Sequence, residues 1–199
     1  MLGLRCPTRR VESWWIECNN QMMVPLIRLR PVEATELDNL LRFLWDAEAT
    51  GEFQWFGYRM NSARNLKTRW SGDGLVSDSD SSFLTVALED GTAAGWVTWR
   101  PIGSFATFEV GIALFPEHRG RGVGRTAQQL LADYLFDTTT VHRIQAGTET
   151  GNVAEQRALE SVGFLREGIQ RGLYLRAGEW RDSVMYGLLR KDRAASQGL

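Results

Sequence analysis

The sequence predicts a single α/β domain built on a sheet of mixed strand direction, and three observations support this prediction. A buried strand, a glycine-rich turn and an amphipathic helix follow one another between residues 108 and 136. Two strand-like runs joined by a short turn come before them, and a strand, a helix and a hairpin come after. With 199 residues and 43% hydrophobic content, the chain can bury one core and is too short for two comfortable domains.

The domain is predicted to begin with a strand at residues 26–31 and an amphipathic helix within residues 31–47. Apolar residues recur there at helical spacing, and Glu33 and Glu36 lie in early turns, where the helix dipole favours acidic groups. Residues 71–82 are rich in serine, aspartate and glycine, which predicts a polar linker or loop.

Two antiparallel strands are predicted next. Residues 83–88 and 94–100 are strand-like runs separated by the turn-forming residues 89–92. Strands joined by so short a turn pair antiparallel. A further turn at Gly103 leads to residues 110–115, an apolar run with β-branched residues that is typical of a mostly buried strand.

The junction after this strand predicts an anion site. Pro116 ends the strand, and apolar residues recur at helical spacing after the glycine-rich turn. The first N–H groups of a helix have no carbonyl partners, and the helix dipole favours negative charge there. Glycines allow close backbone approach and arginines add positive charge, so we expect a ligand that carries phosphate, although the arginines could also form an ordinary solvated surface. The residues concerned are Arg119, Gly120, Arg121, Gly122, Gly124 and Arg125.

The rest of the chain alternates strand and helix before ending in a hairpin. A short strand is predicted at residues 143–146, a polar turn at 148–152 and a helix at 153–162, with Gly163 placed to end that helix. The tail from Lys191 is expected to fray. The final hairpin pairs two runs around a short turn, residues 169–176 and 180–189.

The glycine-rich turn resembles a known signature. It lacks the Lys-Ser/Thr ending of an NTPase phosphate loop, and no G-x-G-x-x-G precedes an acidic residue at dinucleotide-binding distance. Instead, Arg119-x-x-Gly122-x-Gly124 follows a strand and opens a helix. This pattern resembles the pyrophosphate-binding signature of the GNAT superfamily of acetyl-CoA-dependent N-acyltransferases.

A second run extends the resemblance to the RimJ/RimL-type branch, the ribosomal-protein N-acetyltransferase-like members. The residues that match its pattern are Asn152, Leu159, Gly163 and Phe164. The resemblance covers roughly residues 26–190 and implies a GNAT-like fold. In that fold the sheet is mixed and largely antiparallel, helices cover both faces, and a central splay between two parallel strands holds the pantetheine arm.

The domain so defined would span residues 25–190, with a flexible tail at 191–199. Residues 1–24 are interpreted as an N-terminal extension of uncertain role, because their apolar residues follow no sustained periodicity. They are either the result of a misplaced translation start or an interface arm or pro-region that uses Trp14, Trp15 and Ile16.

The resemblance also implies which residues bind acetyl-CoA. Backbone groups of Ile112 and Leu114 should hydrogen-bond the pantetheine amides. Asn152 resembles the asparagine that contacts the cofactor arm, although asparagine is also a good helix N-cap, and it can serve both purposes. The pyrophosphate should lie on the loop and the start of the helix, at Arg119, Gly120, Arg121, Gly122, Val123, Gly124 and Arg125.

Acylation of an amine by a thioester requires a neutral amine and a proton for the leaving thiolate. Glu109 is a candidate base, as many superfamily members place a glutamate comparably, although it could instead form a structural ion pair at the cleft edge. RimJ/RimL-type proteins commonly have a serine, a proposed thiolate donor, where this chain has Glu155. A glutamate donates only when protonated. Either the pKa of Glu155 is strongly shifted, or Tyr174, Tyr186 or water donates, or no acid is needed.

The aromatic segment GEFQWFGYRM, residues 51–60, permits two interpretations. Its rings either pack in the core or, as the superfamily resemblance implies, form a wall of the acceptor cleft. Aromatic side chains suit such walls because they offer large apolar area with little conformational freedom to lose. The candidates for this wall are Phe53, Trp55, Phe56 and Tyr58.

Composition limits the partners. The net charge of −1 argues against nucleic-acid binding, and the only two cysteines, Cys6 and Cys18, argue against a disulfide framework or metal cluster in the domain. No apolar run of membrane-spanning length and no signal peptide are apparent, so a soluble, cytoplasmic protein is expected. Together with the resemblance, these limits lead us to expect an acetyl-CoA-dependent N-acetyltransferase acting on a small-molecule amine or a protein N-terminus, with no metal; a homodimer is left open. The alternative is a CoA-binding regulatory or structural module without turnover.

Overall fold

The computed structural model describes residues 25–46, 51–53, 62–77, 79–103 and 106–196, with the backbone alone for residues 194–196. Some predictions fall outside the described residues. These are the N-terminal extension at residues 1–24 and three of the four proposed wall aromatics, Trp55, Phe56 and Tyr58.

Seven strands form one sheet in the order β1-β2-β3-β4-β5-β7-β6. They are β1 (Ile27–Arg30), β2 (Ser82–Leu88), β3 (Ala93–Pro101), β4 (Thr107–Leu114), β5 (Arg143–Glu149), β6 (Leu165–Arg176) and β7 (Glu179–Leu189). The β4–β5 pair is parallel, and the other five pairs are antiparallel. The predicted mixed, largely antiparallel sheet is confirmed.

The described residues include five α-helices. They are α1 (Leu37–Trp45), α2 (Ala63–Asp73), α3 (Val123–Thr138), α4 (Val153–Val162) and α5 (Arg190–Ser196), with short 3-10 turns at Ala34–Glu36 and Pro116–His118. Within the described part of the chain, no helix is both long and apolar enough to cross a membrane. The same residues contain no group of three or more His, Cys, Asp or Glu side chains that could hold a metal ion.

Helices pack on both faces of the sheet, as predicted. The larger core cluster joins α3 and α4 to one face, and a smaller cluster joins α1 and α2 to the other. Adjacent residues of β3 show the division, since Val97 belongs to the larger cluster and Trp96 to the smaller. This follows from the alternation of side chains across a strand.

Two predicted boundaries are wrong at their starts. The polar linker predicted at residues 71–82 begins inside α2, which Ser62 caps by accepting from the Asn65 N–H at 3.1 Å. The helix is polar and buries little beyond Leu66, so it lacks a clear apolar stripe. The turn predicted to begin at Thr148 begins only after Glu149, because β5 continues to that residue and pairs with β7.

The chain end also differs from its prediction. Instead of a frayed tail from Lys191, the structure has helix α5. Arg190 holds its start by donating hydrogen bonds to three backbone carbonyls at the end of α3 and in the following turn: Phe136, Thr139 and Val141. Arg193 adds an ion pair with Asp133 of α3. These contacts connect residues 49 to 60 positions apart, which a local pattern cannot reveal.

Candidate active site

The parallel strands β4 and β5 separate after a short paired stretch. They pair at three positions only, from Thr107 with Arg143 to Glu109 with Gln145. Beyond that point β4 continues to Leu114 and β5 to Glu149, each paired with its outer neighbour. A cleft of about 850 Å³ opens there, and the predicted central splay is confirmed.

The backbone of β4 directs into this splay the groups that β3 does not bond. In an antiparallel ladder alternate residues exchange hydrogen bonds with the partner strand. The Phe115 N–H donates to the Ala94 carbonyl at 3.0 Å, which sets the alternation between β4 and β3. The backbone groups of Ile112 and Leu114 therefore point away from β3, toward the open side. The Leu114 carbonyl accepts from Nε of Arg119 at 2.9 Å.

The glycine-rich turn forms an uncapped helix start. Gly120 and Gly122 have φ of 69° and 79°, in the left-handed region that glycine tolerates best. Gly122 is the N-cap residue of α3, which has neither a side-chain cap nor an acidic residue in its first turn. The N–H groups of Val123, Gly124 and Arg125 consequently have no partner within the helix.

The three arginines predicted to bind phosphate do not share one environment. Arg119 turns back from the loop, bonds the end of β4 and packs against Gly51, where an added Cβ would lie 2.8 Å from Nη1. Arg121 and Arg125 are exposed beside the helix start. The structure thus brings two cations to the helix start and uses the third to join the loop to β4 and the segment around Gly51.

Glu109 lies at the last paired position of the splay and lines the cleft. Its cross-strand neighbour Arg100 donates Nε–H to Oε2 at 2.7 Å, and Nη2 forms a second contact with the same oxygen. The Glu109 side chain is 27% exposed. The ion pair considered from the sequence is confirmed, and the role of Glu109 as a base stays a prediction.

Asn152 and Glu155 lie at the start of α4 and line the cleft. Asn152 Oδ1 accepts from the Glu155 N–H at 3.3 Å, and its Nδ2 donates to Thr148 Oγ1 at 3.0 Å. The predicted N-cap role of Asn152 is thereby confirmed. The contact of Asn152 with the cofactor stays a prediction.

The Glu155 carboxyl has a neutral partner, Gln128 of α3, whose Nε2 lies 3.1 and 3.2 Å from its two oxygens. Burial raises the pKa of Glu155 to about 7, although the hydrogen bond from Gln128 acts in the opposite direction. Glu155 is therefore protonated in a large fraction of molecules at neutral pH. Gln128 carries no sequence signal, because a lone glutamine on a helix is unremarkable until the fold places it beside a carboxyl.

Of the two tyrosines considered as donors, one lines the cleft. Tyr174 does so, and its pKa is raised chiefly by burial, with a contribution from the carboxylates of Glu109 and Glu149, so its hydroxyl keeps its proton. Tyr186 is fully buried, and its hydroxyl donates to Glu160 of α4 at 2.9 Å, away from the residues that line the cleft. The alternative that Tyr186 donates the proton does not fit this position.

A buried ion pair at the cleft was not predicted from the sequence. Glu149, at the end of β5, is 4% exposed and accepts two hydrogen bonds of 2.8 Å from Arg176. The Arg176 guanidinium also lies over the ring of Phe53, 5.5 Å from its centroid. Phe53 lines the cleft, as expected for the aromatic wall, so Arg176 connects that wall to β5.

A splay between parallel strands, with an uncapped helix start at one end and carboxyl groups beside it, defines the class of GNAT-type acyltransferases. The family model described as an acetyltransferase (GNAT) domain matches residues 27–165 of this chain. The chain belongs to the GNAT acetyltransferase family and is an acetyl-CoA-dependent N-acetyltransferase.

The relatives support membership of the GNAT family but do not decide whether the chain belongs to the RimJ/RimL-type branch. "Probable N-acetyltransferase YjcK" of Bacillus subtilis is 29% identical over 175 residues, which cover 83% of this chain and 95% of that protein. The alanine N-acetyltransferase of ribosomal protein uS5 from Escherichia coli is 30% identical over 90 residues, 45% of this chain and 46% of that protein. Membership of the RimJ/RimL-type branch stays a prediction.

Solved structures share the fold. The structure of a spermidine N-acetyltransferase from Vibrio cholerae in complex with CoA and spermine superimposes with a TM-score of 0.70 at 22% identity. The match covers 84% of this chain and 98% of that one. At this identity the likeness establishes the fold alone.

Proposed function

We propose that this protein transfers an acetyl group from acetyl-CoA to a primary amine by direct attack of the amine on the thioester. The observation that carries the proposal is the splay between β4 and β5. One cleft there contains strand backbone that β3 does not bond and the carboxyl groups of Glu109 and Glu155, and an uncapped helix start follows β4.

In this proposal acetyl-CoA follows the open edge of β4. The pantetheine amides pair with the backbone of Ile112 and Leu114, and the Asn152 amide contacts the same arm. The pyrophosphate binds at the start of α3, where free N–H groups, two left-handed glycines and exposed arginines favour an anion. The residues of this loop are Arg119, Gly120, Arg121, Gly122, Val123, Gly124 and Arg125.

Glu109 is proposed to receive the proton of the attacking amine. Its position at the point where the strands separate supports this role, because the acyl end of the pantetheine arm is proposed to lie there. Arg100 contacts Oε2, which fixes the orientation of the carboxylate. Transfer can be direct or through one water, since either route keeps the carboxylate within reach of the proton.

Glu155 is proposed to protonate the leaving thiolate. As the N–C bond forms and the C–S bond breaks, the sulfur takes the carboxyl proton. A thiol has an unperturbed pKa of about 8.5, so transfer from an acid whose pKa is about 7 is favourable. A pKa near neutrality also lets the carboxylate regain a proton from solvent. Tyr174 is the rival donor in the same cleft.

The acceptor is proposed to be a small-molecule amine or a protein N-terminus. Relatives in the family are named for both kinds of substrate, including an L-amino acid N-acyltransferase and a ribosomal-protein N-acetyltransferase. The non-catalytic alternative relied on Glu155 replacing a serine. That reason weakens because burial allows Glu155 to donate a proton.

Acceptor-dependent release of CoA thiol tests the proposal. Acetyl-CoA would be incubated with the protein and a panel of amino acids, amino sugars, polyamines and peptides with free N-termini. Thiol release above background with one class of amine, together with the acetylated product by mass spectrometry, is the expected result. CoA binding without transfer to any amine in the panel would favour the non-catalytic alternative.

A further inference from the structure

Gln128 is a buried side chain that reaches the cleft only through Glu155. It lies on α3, about one turn after the glycine-rich loop, and is 5% exposed. The described residues that line the cleft include Glu155 and do not include Gln128. Gln128 therefore contacts Glu155, the proposed proton donor, from inside the protein and not from the cleft.

One end of the Gln128 amide is buried without a partner. Nε2 donates to the Glu155 carboxyl, whereas Oε1 has no hydrogen-bond partner among the described residues. Buried acceptors are normally satisfied, so an unpaired oxygen here requires an explanation. The nitrogen and oxygen of a glutamine amide have nearly the same shape, and rotation about the last side-chain bond exchanges them.

The two amide orientations match the two protonation states of a carboxyl group. A carboxylate can only accept, which suits the Nε2 donor now facing Glu155. A protonated carboxyl has one O–H to donate, and a rotated amide would present Oε1 to receive it. A charged residue in place of Gln128 would favour one state strongly, whereas a neutral amide can serve both.

We infer that Gln128 is a positioning residue that holds the Glu155 carboxyl in one place through both of its protonation states. The inference rests on the proposed role of Glu155 as proton donor. In turnover Glu155 gives its proton to the CoA thiolate, and Nε2 of Gln128 holds the carboxylate. When Glu155 takes a proton back from solvent, the amide rotates and Oε1 accepts the new O–H.

The other titratable groups of the cleft have partners of their own. The same cleft is also lined by Asp80, Glu109 of β4, Glu149 of β5 and Tyr174 of β6, with Arg69 and Arg100. Asp80 forms an ion pair with Arg69, and each of the two glutamates is bonded to an arginine. The side-chain partner of Glu155 is the neutral amide from α3, so removing that amide should act on the Glu155 carboxyl directly.

The test replaces the amide while keeping its volume. Gln128→Met removes both hydrogen-bonding atoms, and Gln129→Met is the matched control on the same helix, next to Gln128. Two pH titrations are measured on each protein. The first is the carbon-13 NMR shift of the Glu155 carboxyl, identified by its absence in Glu155→Gln, and the second is kcat for acetyl transfer.

Although the amide can bond both states, its hydrogen bond to the charged carboxylate is the stronger one. That bond lowers the pKa of Glu155, so its loss should raise the carboxyl midpoint. We expect Gln128→Met to raise it by about 1 pH unit, with the alkaline limb of the kcat profile moving by the same amount. Gln129→Met should move neither. Gln128→Asn, which keeps an amide but withdraws it by one methylene, should move both in the same direction and provides a second variant if Gln128→Met does not fold.

Two results would overturn the inference. A uniform fall in kcat with both midpoints unchanged would reduce Gln128 to a structural residue. A shifted carboxyl midpoint with an unmoved kcat profile would show that Glu155 is not the donor, while acetyl transfer itself would stand. Absence of transfer to every amine would contradict the proposed function, and the NMR titration would still decide whether Gln128 controls the carboxyl.

Discussion

The carboxyl groups of the cleft differ in the chemistry of the partner that holds them. Glu109 and Glu149 each accept hydrogen bonds from an arginine, whereas Glu155 accepts from Gln128. Burial beside a neutral amide leaves the protonated form of Glu155 competitive with the carboxylate. One residue type can therefore supply both a proposed base and a proposed acid within the same cleft.

The raised pKa of Glu155 has a consequence for stability. A folded-state pKa of about 7 lies above the ordinary value of 4.5, so the contribution to stability is present at low pH and is lost as pH rises through 7. Glu155→Gln removes this loss. We expect the free energy of unfolding of the variant, relative to that of wild type, to rise by about 2–3 kcal/mol between pH 5 and pH 8. Urea denaturation at several pH values measures it.

Glu117→Gln is the control for this prediction, because Glu117 is exposed on the turn after β4. It measures the effect of the same substitution at an exposed site. A difference between Glu155→Gln and wild type that follows the control at every pH would mean that Glu155 titrates as an ordinary surface carboxylate, and its assignment as proton donor would lose its physical basis.

Glu109→Gln tests the proposed base. The variant keeps the size of the side chain but cannot accept the amine proton, so turnover should fall by roughly 10²–10⁴. The deficit should shrink as pH rises, because more of the amine arrives neutral. CoA affinity, measured by calorimetry, should be unchanged, and stability should fall by no more than about 1 kcal/mol for a partly exposed ion pair. A deficit that is constant across pH would assign Glu109 a structural role.

Some of these residues were predictable from the sequence and others were not. Asn152 was predictable as an N-cap because capping depends on residues adjacent in the chain. The partners Arg100, Gln128 and Arg176 were not, because their contacts depend on strand register and on helix packing across 9 to 27 positions. The carboxyl groups of Glu109 and Glu155 were thus predictable, without the partners that determine their chemistry.

At the level of secondary-structure elements, the approach of β3 to β4 depends on Gly95. Gly95 has φ of 151°, and an added Cβ would lie 2.1 Å from the Ala113 carbonyl oxygen of β4. Since β4 forms one wall of the splay, this close approach supports the site as well as the sheet. Helix α5 was missed because its own arginines hold it through contacts with residues distant in the chain. The polar helix α2 was missed because a local cap holds it without a strong apolar stripe.

Gly95→Ala should therefore destabilise the protein. The clash with backbone, together with an unfavourable φ, should cost about 3 kcal/mol or more in the free energy of unfolding, measured by denaturant titration. Gly168→Ala is the matched control, since Gly168 lies in β6 and an added Cβ there meets no atom within 4 Å. Equal, small effects of the two substitutions would contradict the close approach of the strands.

For the whole molecule, the mixed sheet and the two helical layers were predictable because strand, glycine turn and helix alternate clearly along the chain. The exact end of the β4–β5 pairing was not, because it depends on β4 and β5 each following its outer neighbour after Glu109. That divergence creates the cleft. The central claim is that acetyl-CoA occupies the cleft and the adjoining start of α3.

Amide shift changes in a nitrogen-15 NMR titration with CoA test this claim most directly. We predict that the largest changes fall on the open edge of β4 and the start of α3, at Ile112, Leu114, Val123, Gly124 and Arg125. A second hollow, lined by Asn39, Arg42, Phe43, Asp46 and Phe115, provides the comparison surface. Changes concentrated in that hollow, or none at saturating CoA, would contradict the account.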